Sequence, residues 1–210
     1  MKDLKDKPWT KEDIAELFDK QREFFKSGKT LDLQWRKKQL IKLRDAMITY
    51  EQEMYDALYE DLGRSDVEAF LCDLGPVILE TNEAIKNLKK WAKPETHFSG
   101  FLTFPSLTTK VYKMPYGVSL IISPYNFPIF LTFGVLAAAI AGGNTAVIKA
   151  SSKSKACTKV MQKIISEVFE PEFVSLVDGG HDIADMCLAE RSDKIFYTGS
   201  PAVAKHVMEE

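Results

Sequence analysis

The second half of the chain alternates short apolar runs with helical segments, and this alternation limits the fold more than any other feature. The runs with the length of buried strands occupy residues 117–122, 145–149, 173–177 and 194–197. The helical patterns between them occupy residues 129–141, 153–169 and 183–189. Continuously apolar strands that are joined by helices form a parallel sheet covered on both faces. We therefore predict a doubly wound α/β fold for residues 116–210.

Residues 1–93 show the period of amphipathic helices instead. Thr10 with Asp13, and Ser65 with Glu68, have the spacing of capping boxes, which open helices. We predict helical stretches over residues 10–28, 33–63 and 65–91, with a kink at Pro76. Residues 94–115 follow, and the alternation of side chains over 107–114 indicates an extended or hairpin segment. We interpret the helices as scaffold and the extended segment as a candidate arm for assembly.

Composition excludes several classes of function. The net charge of -2, with Lys and Arg spread along the chain, gives no support for nucleic-acid binding. Three cysteines without CxxC spacing favour a reducing cytoplasm, and three scattered histidines predict no metal site. The longest apolar stretch, residues 127–141, is short for a bilayer span, and the N-terminus lacks the apolar core of a signal peptide. We therefore expect no export and no membrane contact from this segment.

Three strand ends carry polar groups at the edge where sheets of this kind bind ligands. Asn126 lies between Pro124 and Pro128, in a turn with rigid flanks. Lys149 ends a strand where its ammonium group could reach a ribose or a phosphate. The Gly-Ser pair at residues 199–200 stands between a strand and a helix, where backbone N–H groups can bind phosphate.

Each of these features also has a plain structural interpretation. A turn asparagine usually satisfies its local backbone, a lysine at a strand end is usually solvated, and Gly-Ser-Pro makes an ordinary strand-to-helix turn. The sequence also contains no GxGxxG, the usual fingerprint of dinucleotide binding. The case for a ligand site therefore depends on the combination of the features.

Four sequence blocks carry that combination in a fixed order. They are PYGVSLIISPYNFP, AGGNTAVIKASS, VDGG and DKIFYTGS. In this order the blocks resemble the aldehyde dehydrogenase superfamily, and their detail is most similar to its class 3 and fatty aldehyde dehydrogenase branch. The resemblance covers the N-terminal half of that branch only. It implies a Rossmann-like variant of the doubly wound sheet, preceded by a helical region and an extended oligomerisation hairpin.

The resemblance implies that the full-length protein oxidises an aldehyde to a carboxylic acid with NAD or NADP. Asn126 matches the asparagine that stabilises the oxyanion. Lys149 matches the lysine that hydrogen-bonds the adenosine ribose, and Gly179 would leave room for the adenine. The implied cofactor-binding residues are Ile122, Ser123, Pro124, Tyr125, Lys149, Ser152, Gly179, Thr198, Gly199 and Ser200.

The sequence departs from the family pattern at several of these positions. Ser152 replaces the glutamate that binds the ribose 2'-hydroxyl, so we expect NADP to be accepted as well as NAD. Tyr125 stands where tryptophan is usual, and Pro201 and Ala204 replace the threonine and the distal glycine of the Gly-Ser motif. These departures predict local differences in cofactor geometry.

The family's Glu-Leu-Gly-Gly-Lys motif and its nucleophilic cysteine do not occur in this sequence. Cys72, Cys157 and Cys187 precede the position of that nucleophile, so we interpret them as buried structural thiols. We predict a cofactor-binding portion without the catalytic domain, inactive alone and homodimeric when full length. The alternatives are a CoA-acylating or semialdehyde dehydrogenase of the same superfamily, or a truncated, non-catalytic nucleotide-binding protein.

Overall fold

The first part of the chain folds into helices, as predicted. The computed structural model describes residues 8–209, apart from the side chain of Thr103, so the N-terminal residues examined for a signal peptide lie largely outside it. The helices are α1 (Lys11–Lys26), α2 (Leu33–Thr49), α3 (Glu51–Leu62), α4 (Asp66–Ala69) and α5 (Gly75–Trp91). The expected capping box opens α1: Thr10 Oγ1 accepts from the Asp13 N–H at 3.1 Å, and the Asp13 carboxylate accepts from the Thr10 N–H at 3.3 Å.

Two of the predicted helical stretches are interrupted. The stretch over residues 33–63 is wrong as a single helix, because the chain leaves helical geometry at Tyr50. Met47 and Met54, on either side of the break, are both buried and lie seven residues apart. The helical period of apolar residues therefore continues across Tyr50, and the sequence pattern does not show the break. In the third stretch the irregularity is a π-helical turn over Phe70–Leu74. Pro76 lies in the first turn of α5, where proline is compatible with a helix, so the kink predicted there is wrong.

An antiparallel hairpin follows the helices. Strand β1 (Glu95–Phe98) pairs with β2 (Thr108–Val111), and both strands are exposed along their whole length. β2 is shorter than the extended segment predicted over residues 107–114, and its partner strand begins thirteen residues before it. Because both strands are exposed, no buried apolar face marks where either of them begins or ends.

The second part of the chain is the predicted parallel α/β unit. Its strands are β3 (Val118–Ile122), β4 (Thr145–Lys149), β5 (Val174–Val177) and β6 (Lys194–Tyr197), and they form one sheet in the order β5-β4-β3-β6. All three pairings are parallel. The order reverses beside β3, which has β4 on one side and β6 on the other. This reversal is the point at which doubly wound sheets open a crevice for ligands.

The connecting helices are α6 (Val135–Gly142), α7 (Lys155–Val168), α8 (His181–Leu188) and α9 (Pro201–Glu209). The helix predicted from residue 129 starts instead with a π-helical turn over Phe130–Gly134. Helix α7 receives its cap from a distant residue, because the Asp61 carboxylate at the end of α3 accepts from the N–H groups of Ala156 at 3.1 Å and Cys157 at 2.8 Å.

Helices of the first part cover both faces of the sheet. Helix α1 packs with α8 on one face, where Phe18, Leu120 and Val147 are fully buried. Helices α2, α3 and α5 pack with α6 and α7 on the other face, around Leu43 and Ile148. The N-terminal helices thus complete the core of the sheet, which burial of apolar surface stabilises.

Candidate active site

A groove of about 660 Å³ opens along the carboxyl edge of the sheet. Turns that follow β3, β4 and β6 line it together with residues of α8 and α9, and we call it the strand-end groove. Ten of the eleven predicted site residues line it: Ile122, Ser123, Pro124, Tyr125, Asn126, Lys149, Ser152, Thr198, Gly199 and Ser200. Its volume lies within the range of about 300–1,000 Å³ that small-molecule and cofactor sites occupy.

The eleventh predicted residue, Gly179, does not line the groove, whereas its neighbour Gly180 does. Gly179 has a φ of 136°, and a Cβ atom there would overlap Ile183. Glycine is therefore required for the backbone conformation at this position. The predicted role beside an adenine stays a prediction.

Lys149 is fixed at the wall of the groove. Its side chain is buried, and Nζ donates hydrogen bonds to the carbonyl oxygen of Ala150 at 2.6 Å and to that of Gly179 at 2.8 Å. Burial lowers the pKa of this amine, while Cys187, Asp178 and Asp182 act in the opposite direction. The amine is thus held by carbonyl oxygens at the ends of β4 and β5, unlike the freely solvated lysine of the plain interpretation.

The turn after β6 is held by residues close to it in sequence. The Tyr197 hydroxyl donates to the Ser200 carbonyl oxygen at 3.2 Å, and a Cβ atom on Gly199 would overlap this tyrosine. Ser200 Oγ accepts from the Val203 N–H at 3.4 Å, so it also caps α9. Glycine at position 199 is what allows the tyrosine to lie across the turn.

Residues distant in sequence hold the turn after β3. Arg64 donates to the Asn126 carbonyl oxygen at 2.6 Å and to the carboxylate of Asp73. That carboxylate also accepts from the N–H groups of Ile129 at 3.1 Å and Phe130 at 2.9 Å. Burial raises the pKa of Asp73, whereas the two N–H groups and Arg64 lower it. Sequence analysis missed Arg64 and Asp73, because nothing local to either residue points to a turn about 60 residues further on.

Comparison with known proteins agrees with this arrangement. The sequence profile described as the aldehyde dehydrogenase family matches residues 7–210. The chain belongs to the aldehyde dehydrogenase family. This membership confirms the resemblance on which the site residues were selected, and it also accounts for the fold.

Relatives of this family member support the class 3 branch. Aldehyde dehydrogenase family 3 member F1 of Arabidopsis thaliana is 37% identical over 198 residues, which are 94% of this chain and 41% of the relative. The substrate-bound structure of Staphylococcus aureus AldH matches with a TM-score of 0.92 at 36% identity, over 93% of this chain and 43% of that one. The chain thus spans about two fifths of the length of the relatives it matches.

A more distant structure shares the fold. Betaine aldehyde dehydrogenase of Staphylococcus aureus, solved in complex with NAD+, matches with a TM-score of 0.83 at 23% identity. The match covers 96% of this chain and 40% of that one. At this identity the comparison concerns the fold alone, and it confirms the α/β architecture.

Several residues that line the groove of this family member were not among the predicted ones. Lys153 follows Ser152, and its Nζ lies 5.0 Å from the centre of the Tyr125 ring. His181 and His206 are exposed, as expected of surface histidines, yet both line the groove. His206 Nε2 lies 2.8 Å from a carboxylate oxygen of Asp185, which also lines it. The position of Lys153 beside Ser152 was a usable signal, whereas α9 had to fold back before His206 could reach the groove.

The cysteines of the chain are not part of the groove lining. Cys157 and Cys187 are buried, and burial raises the pKa of both thiols, that of Cys187 to about 12. Such thiols remain protonated at neutral pH and are poor nucleophiles. Cys72 is only half-buried, so the prediction that all three are buried is wrong for this residue. It lies on the π-helical turn Phe70–Leu74.

Residues 8–209 contain neither a membrane-spanning helix nor a metal-binding cluster. No helix in that part of the chain is both long and apolar enough to cross a membrane. No cluster of three or more His, Cys, Asp or Glu side chains there could hold a metal ion. The absence of a metal from the working protein stays a prediction.

Proposed function

We propose that this chain is the cofactor-binding portion of an NAD- or NADP-dependent aldehyde dehydrogenase that oxidises an aldehyde to a carboxylic acid. The observation that carries the proposal is the convergence of Asn126, Lys149 and the Gly199–Ser200 turn on one groove. These residues come from three strand ends that are widely separated in sequence. Membership of the family supports the same conclusion.

The residues of the strand-end groove fit a dinucleotide. The buried ammonium group of Lys149 suits ribose hydroxyls or a phosphate, and Gly199 and Ser200 suit a pyrophosphate at the start of α9. Ile122, Ser123, Pro124, Tyr125, Ser152 and Thr198 complete the proposed cofactor site. The nicotinamide ring of such a cofactor accepts a hydride. The same fold holds NAD+ in the betaine aldehyde dehydrogenase.

Asn126 is the proposed catalytic residue of this portion. Its side chain is exposed at the groove, where an amide N–H can donate to the oxygen of a reacting aldehyde. Donation stabilises the negative charge that develops on that oxygen. The nucleophilic thiolate comes from outside this chain, because the three cysteines present do not line the groove.

Calorimetric titration of the chain with NAD and with NADP tests the cofactor site. We expect both dinucleotides to bind, and Lys149→Met to weaken both by about 10- to 100-fold, because a hydrogen bond from a charged donor is lost. Lys194→Met is the matched control, since Lys194 is an exposed lysine of β6 outside the groove lining. A folded chain that binds neither dinucleotide at millimolar concentration would contradict the proposal.

Position 152 tests the proposed acceptance of both cofactors. Ser152 carries no charge that would repel a 2'-phosphate, and the ammonium group of Lys153 lines the same groove. We expect Ser152→Glu to weaken NADP binding by roughly 10-fold and to leave NAD binding unchanged or stronger. A large preference of the unmodified chain for NAD would refute dual use.

We further propose that the chain alone has no dehydrogenase activity. An oxyanion donor and a cofactor site lower no barrier without a nucleophile. The assay is reduction of NAD by the purified chain with a medium-chain aldehyde, and clear formation of reduced cofactor would refute this part of the proposal.

The proposal also covers assembly and location. The exposed hairpin carries Phe98 and Phe101 on its surface, which suits a homodimer of the full-length protein. Three free cysteines suit a reducing compartment, and we propose the cytoplasm. Sedimentation and fractionation of the full-length protein measure these two properties directly.

A further inference from the structure

Two charged side chains of the helical region reach into the turn that carries Asn126. Arg64 follows α3, and Asp73 lies in the π-helical turn between α4 and α5. Neither lines the strand-end groove. Both are buried: Asp73 has no exposed surface, and Arg64 is 9% exposed. A buried arginine–carboxylate pair needs hydrogen-bond partners for its remaining donors and acceptors.

Apart from the exposed carboxylate of Glu68, which lies 3.8 Å from Arg64 Nε, the partners of this pair belong to one short segment. Arg64 donates to the Asn126 carbonyl oxygen at 2.6 Å, and its guanidinium group lies 4.6 Å from the centre of the Phe127 ring. Asp73 accepts from the N–H groups of Ile129 and Phe130. The pair therefore binds the chain on both sides of Pro128, and we call it the Arg64–Asp73 clamp.

The clamp restrains a part of the turn that the two flanking prolines leave free. Pro124 and Pro128 each fix their own φ angle, but the peptide groups between them stay free to rotate. Asn126 itself is exposed at the groove, so packing does not hold its side chain. The direction of its amide thus depends on the backbone at residue 126, and the carbonyl group of that residue is the one that Arg64 binds.

The π-helical turn gives Asp73 its position. A π-helical turn admits one extra residue and so changes the direction of the side chains within it. A second π-helical turn, Phe130–Gly134, begins where Asp73 accepts its two N–H groups. Two irregular turns of the backbone therefore meet at the clamp.

We propose that Arg64 and Asp73 are positioning residues that hold the oxyanion donor Asn126 in its catalytic direction. This inference rests on the proposed function, because it assigns a task to the same asparagine. It concerns the chemical step rather than cofactor binding, since the clamp touches the turn that carries Asn126 and does not line the groove.

Kinetics of the full-length enzyme test the clamp. We expect Arg64→Met to lower kcat by about 10- to 100-fold, because a small displacement of a catalytic group is costly. The affinity for NAD and the KM for the aldehyde should change by less than about threefold. Arg64→Lys keeps a positive charge beside Asp73, so we expect it to retain more of kcat than Arg64→Met. If Arg64→Met does not fold, the kcat of Arg64→Lys still tests the clamp. Arg44→Met is the matched control, because Arg44 pairs with exposed Asp45 on the surface.

A double variant separates positioning from general structural damage. Asn126→Ala alone should lower kcat by about 100- to 1,000-fold. Once that amide is gone, adding Arg64→Met should cost less than about threefold, because the two residues act through one group. Full additivity of the two losses, or an unchanged kcat in a folded Arg64→Met enzyme, would overturn the clamp. If Asn126→Ala alone leaves kcat unchanged, the proposed function fails, and the clamp inference fails with it.

Discussion

The turns after β3 and β6 lie side by side at the strand-end groove but are held by different means. Arg64 and Asp73, more than 50 residues away, hold the first turn through buried, charged hydrogen bonds. Tyr197 and Ser200, which belong to the second turn itself, hold that turn at the surface. The turn after β3 thus depends on contacts with distant parts of the fold, whereas the turn after β6 depends on residues of its own sequence. The turn after β3, which carries the proposed catalytic residue Asn126, is the one held by distant residues.

Hydrogen exchange should give the largest difference between the two regions. Strand β3 lies inside the sheet with Val118 and Leu120 fully buried, whereas α9 has no buried residue within Pro201–Glu209. We expect amides of β3 to exchange only through global unfolding, at about 5 kcal/mol or more. Amides of α9 should exchange through local opening at about 2 kcal/mol or less. Equal protection of the two segments, measured by mass spectrometry or NMR on this chain, would contradict the comparison.

Removal of the buried carboxylate should give the next largest effect. We expect Asp73→Ala to lower the free energy of unfolding by about 3–5 kcal/mol, because the N–H groups of Ile129 and Phe130 lose this acceptor and Arg64 keeps only the exposed Glu68 carboxylate, 3.8 Å from its Nε, as a counter-charge. Urea unfolding followed by circular dichroism measures the loss. Asp45→Ala is the matched control: this exposed carboxylate pairs with Arg44 on the surface, and its removal should cost less than about 1 kcal/mol. Similar losses in the two variants would show that the clamp is no stronger than a surface pair.

A methyl group at position 199 should have a smaller effect. We expect Gly199→Ala to lower the free energy of unfolding by about 1 kcal/mol, because the Tyr197 ring must move away from the added Cβ atom. NAD binding should weaken with it, since the turn changes shape at the groove. The same unfolding and titration experiments report both quantities. Unchanged stability together with unchanged affinity would mean that the turn tolerates a side chain.

Loss of the tyrosine hydroxyl should have the smallest effect. Tyr197→Phe removes the hydrogen bond to the Ser200 carbonyl oxygen, which is exposed and therefore worth about 0.5 kcal/mol. We expect a change in unfolding free energy near the limit of measurement. A loss above about 2 kcal/mol would place this surface turn in the same class as the buried one.

Local sequence determined strands β4 and β6, the capping box of α1 and the glycine in the turn after β6. β4 and β6 have the predicted bounds, because a short apolar run between turn residues has few other structures open to it. The capping box of α1 formed as predicted, since its hydrogen bonds join residues three positions apart. The polar residues at the strand ends converged because parallel strands direct their carboxyl ends to one edge.

Only the tertiary structure decided the break at Tyr50, the two π-helical turns and the residues that hold Asn126. The π-helical turn of Phe70–Leu74 directs Asp73 toward Ile129 and Phe130, and no period within either segment contains that information. The same holds for Asp61, which caps a helix about 95 residues away. A sequence pattern records which residues avoid water. It does not record which buried carboxylate meets which distant N–H group, because that pairing forms only when the packed helices bring the two together.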